Sequence, residues 1–322
     1  MIGRRARLLT TAALLFALAI GGAGCGANFD PYERLEGLRI LAVKTEPVSP
    51  APGDSTTLSA LVYTPPPAGP MAAPPAITYR WSWCPFAGTA NDGYRCLVTE
   101  DQLRAVAPDA PPFDLPPDPT EPKQATFHHT LDPAMLKNVC AGLAGLPPPP
   151  DCRAGFPVTI YLTVTTPDDE VTAIRTLSLL LAPATEPNTN PAIGDLLAVG
   201  ADGTEKPLDG ATLKRHFDNG VKATVSEEAA EAYDGFDDNG KPARVQERLF
   251  ISWFVETGTV KHPRTGFNAT TTIPFADLLP NTWNPQRASL YGRDTAQLFA
   301  VLRDSREGVA WTSATASLEP TP

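Results

Sequence analysis

The chain has 322 residues, 42% of them apolar, with 26 Lys and Arg against 36 Asp and Glu for a net charge of −10. An acid excess of that size, with no long basic run, disfavours nucleic acid and anionic lipid headgroups, both of which reward clustered Lys and Arg. The length suits two ordinary domains, which most often run about 100 to 150 residues each.

In chain order the first feature is the basic start Met-Ile-Gly-Arg-Arg-Ala-Arg, followed by an apolar run from Leu8 to Ile20 and the small residues Gly21 to Gly24 before Cys25. This is the three-part plan of a secretory signal. The apolar run is too short for the roughly 20 residues that a helix needs to cross the hydrocarbon core. Gly22-Ala23-Gly24-Cys25 resembles the lipobox of bacterial lipoproteins, with Gly22 standing where leucine is commonest. The resemblance implies cleavage after Gly24, diacylglycerol on the Cys25 sulfur and three acyl chains on the mature cysteine. Because Gly26 rather than aspartate follows, it also implies an address in the outer membrane. Residues 1–24 are expected to be a signal peptide and residues 25–33 a lipidated tether. Loss of Arg4, Arg5 and Arg7 with the signal would lower the basic count from 26 to 23 against the same 36 acids.

Beyond the tether, the 36 prolines cluster at 65–75, 108–122 and 147–150 and thin out wherever apolar alternation appears. Proline lacks the N–H that a sheet ladder needs, so these clusters predict loops. Between them, strands are predicted at 38–43, 56–63, 77–83, 157–165 and 171–181. Val158, Ile160, Leu162 and Val164 share one face, while Thr159, Tyr161 and Thr163 share the other. A strand of that kind belongs to an antiparallel sheet packed on one side. Short helices are expected near 99–106 and 133–143.

The stretch 182–191 has three prolines and no apolar period, and reads as a linker. A second set of strands follows at 196–199, 221–225, 248–256, 266–272, 297–303 and 309–318. It echoes the first: Tyr79-Arg-Trp-Ser-Trp83 and Leu249-Phe-Ile-Ser-Trp-Phe254 each place tryptophan in a central strand. Each half then ends in a hairpin, with turns at Asp168-Asp169 and Ser305 to Gly308. The strand count, turn spacing and central tryptophan resemble two immunoglobulin-like antiparallel β-sandwich domains in tandem. The expected class is all-β, with domain 1 at 34–181 carrying a Pro-rich, disulfide-containing insertion at 85–156, and domain 2 at 192–319.

Apart from Cys25 the cysteines are Cys84, Cys96, Cys140 and Cys152. An even number in an exported chain predicts two disulfides, with three possible connectivities. The equal separations, 12 residues in each pair, favour Cys84 with Cys96 and Cys140 with Cys152. A zinc site would want a Cys-x-x-Cys pair, which the chain lacks.

No metalloprotease helix, nucleophile elbow or phosphate loop stands in the mature chain. The histidines His128, His129, His216 and His262 are scattered, and neighbours on a strand point to opposite faces. The densest polar feature is Ser226 to Gly240, with Glu227, Glu228, Glu231, Asp234, Asp237 and Asp238. Carboxylates with an amide could hold calcium, which makes Asp234, Asp237, Asp238 and Asn239 the candidate ligands. The EF-hand spacing is absent: with Gly240 at the turn, Gly235 takes the first ligand position and Gln246 the last. Among the tryptophans, Trp81 and Trp83 share a strand face, and Trp253 and Trp311 are expected in the second domain's core. Trp283, between turn formers in Pro280 to Pro285, is expected to be exposed and is the candidate for stacking on a sugar or anchoring a protein. Together these features predict a non-catalytic, lipid-anchored envelope protein presenting its modules to a protein or glycan partner. The competing expectation is an envelope hydrolase or calcium-binding module using residues 227–238.

Overall fold

Period-two alternation of apolar residues builds the first half of the molecule. β1 (Arg39–Glu46), β2 (Ser55–Tyr63), β3 (Thr78–Cys84), β4 (Asp114–Leu115), β5 (Gln124–His128), β6 (Phe156–Thr165) and β7 (Glu170–Leu179) form two antiparallel sheets, ordered β1-β2-β5 and β4-β3-β6-β7. β6 shows the cause plainly. Its residues Phe156, Val158, Ile160, Leu162 and Val164 are at most 2% exposed, and those between them are half-buried. Trp81 and Trp83 on β3 also point inward, and Trp83 meets Phe127 of the facing sheet edge to face at 5.1 Å. Strands one, two and five opposite strands three, six and seven is the partition of the immunoglobulin sandwich, with the short fourth strand paired to the third.

The computed structural model describes residues 31–67, 73–143, 152, 155–183, 187–236, 241–267, 275, 279–285 and 294–320. Cys25, the expected signal and most of the expected tether lie outside the described residues, as do Asp237, Asp238 and Asn239. Residues from Glu33 onward belong to one compact unit. No helix among the described residues is long and apolar enough to cross a membrane.

The second half contains β8 (Leu196–Val199), β9 (Glu205–Pro207), β10 (Thr212–Leu213), β11 (Asn219–Ala223), β12 (Ala232–Phe236), β13 (Pro242–Gln246) and β14 (Leu249–Val255). β15 (Thr259–Val260), β16 (Arg264–Phe267), β17 (Pro280–Asn284), β18 (Thr295–Arg303) and β19 (Val309–Leu318) complete it. Its sheets run β15-β17-β11-β8-β9 and β10-β19-β18-β14-β16, and β12 with β13 forms a separate hairpin. β8, β11 and β17 take the places of β1, β2 and β5, while β14, β18 and β19 take those of β3, β6 and β7. The tandem repeat of the sandwich is therefore topological as well as compositional. Trp253 on β14 is fully buried in the place that Trp81 and Trp83 hold on β3.

The segment 85–156 carries Cys96, which is bonded to Cys84 at the end of β3, the Cys140–Cys152 disulfide, and the helices α1 (Glu100–Val106) and α2 (Pro133–Leu143). Thr99 and Gln102 start α1 with a reciprocal capping box. The segment also supplies β4 and β5, the latter the third strand of its sheet. β5 escapes a pattern search because only Ala125 and Phe127 face inward, and Gln124, Thr126 and His128 leave too little apolar signal.

Candidate functional site

The richest chemistry among the described residues lies where the two sandwiches meet. An apolar layer comes first. Leu35, Leu41 and Tyr63 of the first half pack on Phe254, Phe299 and Val309 of the second, all buried. Tyr63 and Phe299 meet edge to face at 6.0 Å. The chain enters this layer rather than the tip of the first sandwich: Val255 donates to Glu33 O at 2.8 Å and Leu35 donates to Val255 O at 2.9 Å, extending β14 with a short parallel bridge. Burying one such large side chain contributes roughly 1.5–3 kcal/mol.

A polar layer follows, built around the turn between β18 and β19. Asp304 Oδ1 accepts from the backbone N–H of Arg306 and of Gly308, each at 2.7 Å, which closes the turn on itself. Glu307 is thereby held at φ 78°, in the left-handed region. A non-glycine residue there costs on the order of 1–3 kcal/mol unless its surroundings fix it. They do. The Arg175 guanidinium on β7 donates to the Glu307 carbonyl, and Ser178 donates to its carboxyl at 3.5 Å. The linker is pinned as well. Asn188 donates to Arg306 O at 2.9 Å, while Asn190 donates to Thr45 O at 2.8 Å and accepts from Val309 N at 2.8 Å.

Carboxyl groups crowd this layer. Glu247 is 1% exposed and Asp304 5%. Burial, and then the nearby charge of Asp304, push the Glu247 carboxyl up to about 7, against the opposing pull of the Glu231 N–H and Arg306. Burial also pushes Asp304 up, opposed by its two backbone donors and Asn188, and pushes Glu307 up, opposed by Arg175 and Ser178. The same burial lowers the Arg175 guanidinium. Arg306 lies 3.4 Å from Glu247 and 3.6 Å from Glu231, its guanidinium 4.4 Å from the centre of the Tyr233 ring. Such a constellation can hold a proton near neutrality and fix an angle between domains.

Beside it a cleft of about 430 Å³ opens between β1 and β7. Ile40, Val171 and Ala173 give it an apolar side, and Arg39, Arg175 and Arg303 a cationic one. Those guanidinium groups donate to oxygens of the body itself: Arg39 to Arg34 O, Arg303 to Leu41 O and Ser252 Oγ, Arg175 to Glu307 O. The cleft is the open flank of the joint.

No family model and no curated protein matches the chain. Among solved structures, an I-band fragment of titin aligns over 88% of this chain and 66% of its own length at 9% identity, with a TM-score of 0.20. A chimeric titin tandem carrying a fibronectin peptide aligns over 88% of this chain and 100% of its own at 11% identity, TM-score 0.25. Domains 4 and 5 of the S-layer protein SbsC align over 82% of each chain at 9% identity, TM-score 0.17. This chain thus spans just under two thirds of the titin fragment. Likeness at these scores carries no weight here, and the fold rests on strand order and pairing.

The residues singled out from sequence are dispersed by the structure. Cys84 is bonded to Cys96, and Cys140 to Cys152. Trp283 is not exposed. It is fully buried on β17 and its indole N–H donates to Thr257 O at 2.8 Å. The turn formers around it lie at the ends of a strand, and alternation turns the ring inward. Trp81, Trp83 and Trp253 are likewise buried, and Trp311 lies at the joint with Lys44 over its ring at 5.4 Å. Of the four calcium candidates only Asp234 lies among the described residues, exposed and 3.3 Å from Arg244 across the β12–β13 hairpin. Glu231 turns away to the joint, where it accepts from Thr189. Among the described residues no three metal-binding side chains gather. His128 is exposed against Ser55 at 2.6 Å, whereas His129 is buried against Leu180 O at 3.0 Å, on opposite faces. Burial pushes the His129 imidazole down.

Sequence reasoning passed over Arg175, Glu247, Asp304, Arg306 and Glu307. Their one outward sign is a turn carrying three charges, Asp304, Arg306 and Glu307, which is ordinary in a solvated hairpin.

Proposed function

We propose that this chain is a non-catalytic, lipid-anchored protein of the bacterial cell envelope whose two sandwiches act as one rigid body that presents its free loops to a protein or glycan partner. The joint carries this reading. A linker bonded to both halves, a chain entry paired to β14 and a turn seated against β7 hold the two domains as a single scaffold, which suits presentation of a surface. Anchoring is supported by the lipobox-like Gly22 to Cys25, and the outer-membrane address by Gly26.

Two measurements test the reading. Cells fed an alkyne-bearing palmitate should label the wild-type chain and not Cys25→Ser, and equal labelling would remove the anchor. Cross-linking in envelope membranes, followed by mass spectrometry, should return one recurrent protein or glycan partner. Substrate turnover by the purified oxidised protein would replace the adaptor with an enzyme.

A further inference from the structure

Two carboxyl groups are buried together at the joint, Glu247 and Asp304. Four carboxyl groups surround the turn at 304–308. Glu247 and Asp304 are buried, Glu307 faces β7, and Glu231 approaches from the foot of the β12–β13 hairpin. Three guanidinium groups answer them: Arg306 from the turn, Arg303 from the end of β18 and Arg175 from β7. Among the described residues, the joint also holds Lys44 of β1, half-buried over the Trp311 ring, and the buried Glu33, of opposite sign, and the other groups brought to the interior are neutral. The linker contributes Asn188, Thr189 and Asn190, and β1 contributes Thr45. Glu46 and Arg248, of opposite sign, lie at the exposed rim. Glu231 and Arg306 keep part of their surface exposed, which leaves Glu247 and Asp304 as the two carboxyl groups buried at the turn, both held by Arg306: Glu247 by its guanidinium at 3.4 Å and Asp304 by its backbone N–H at 2.7 Å.

Hydrogen bonding decides which carboxyl gives way. Asp304 receives two short backbone N–H bonds and the Asn188 amide, a set that favours its ionised form. Glu247 receives one backbone N–H, from Glu231 at 3.1 Å, and shares Arg306 with Glu231. Buried and less well served, Glu247 is the group that takes a proton.

We propose that the joint is a proton-operated latch: with one proton on Glu247 the β18–β19 turn is seated between the two sandwiches, and loss of that proton loosens it. The inference concerns the joint alone and stands whatever the partner. A carboxyl raised to about 7 when seated, against an ordinary value near 4.5 when exposed, binds a proton that the open form has released. The seated form is thus favoured at low pH. It loses that advantage as pH rises from about 4.5 to about 7 and changes little above, since both forms are then ionised. Asp304 and Glu307, also raised, act in the same direction.

Hydrogen exchange of the full-length oxidised protein, corrected for the intrinsic pH dependence of amide exchange, tests this. Protection of the amides from 304 to 309 should fall by roughly ten-fold for each pH unit between about 5 and 7, while protection of β6 stays unchanged. Glu247→Gln should flatten the profile and keep the turn protected at pH 7.5. Glu231→Gln, at the half-exposed side of the Arg306 pair, should leave the slope in place. Carboxyl-carbon NMR of the wild-type protein provides a check independent of any variant. A Glu247 carboxyl that titrates in the ordinary range, a turn whose protection ignores pH, or an unchanged slope in Glu247→Gln would each overturn the latch.

Discussion

Trp283 separates a packing role from a recognition role at the scale of one residue. Its ring is buried and its N–H bonds the Thr257 carbonyl, so Trp283→Phe keeps most of the apolar surface but removes that buried hydrogen bond. Urea unfolding at fixed pH should show a loss of about 1–3 kcal/mol, and a residue that served only a ligand would leave the midpoint where it was. Glu247 makes the opposite prediction. Replacing its carboxyl by an amide removes a charge that burial disfavours, so Glu247→Gln should raise Tm at pH 7.5 and leave it nearly unchanged at pH 4.5. Trp283 was misplaced from sequence because Pro280 and Pro285 suggest a turn, and only the pairing of β17 with β11 reveals a strand between them. Glu247 was invisible for another reason. A single glutamate between two strands looks solvated until a partner surface covers it.

Elements were legible in proportion to how much apolar side they bury. β6 stands out because alternation runs through all ten of its residues, and β19 because its second half repeats it, with Ala314, Ala316 and Leu318 turned inward. β10 and β15, two residues long, carry no period at all, and their existence depends on β19 and β17 offering an edge. The disulfides belong to this scale too. Each closes a loop over a sequence separation of 12 residues, and restricting an unfolded loop of about that length is worth up to ~3 kcal/mol in the chain-entropy view. Cys84 terminates β3 within the core, whereas Cys140 sits on α2 at its margin. Replacing Cys84 and Cys96 together by serine should therefore lower Tm more than replacing Cys140 and Cys152, a comparison that calorimetry makes directly.

For the whole molecule, two sandwiches in one chain could be inferred from repeated strand patterns, but the angle between them could not, because strand periodicity encodes which side is buried and not which ends meet. The joint was left to Leu35, Phe299 and a handful of charges, spread over more than 250 residues of sequence. Leu35→Asp places a carboxylate in that apolar layer and should separate the halves without unfolding either. X-ray scattering would then report a larger radius of gyration, and melting would split into two transitions. The entry of the chain at Glu33 has a mechanical consequence. Tension applied through the N-terminus does not stretch the first sandwich end to end. It pulls first on the two hydrogen bonds between Glu33, Leu35 and Val255 and on the packing around Leu35, so this entry segment is the fuse of the molecule. Under load this short bridge would peel away before either sheet sheared, and the folded domains would survive on a longer leash.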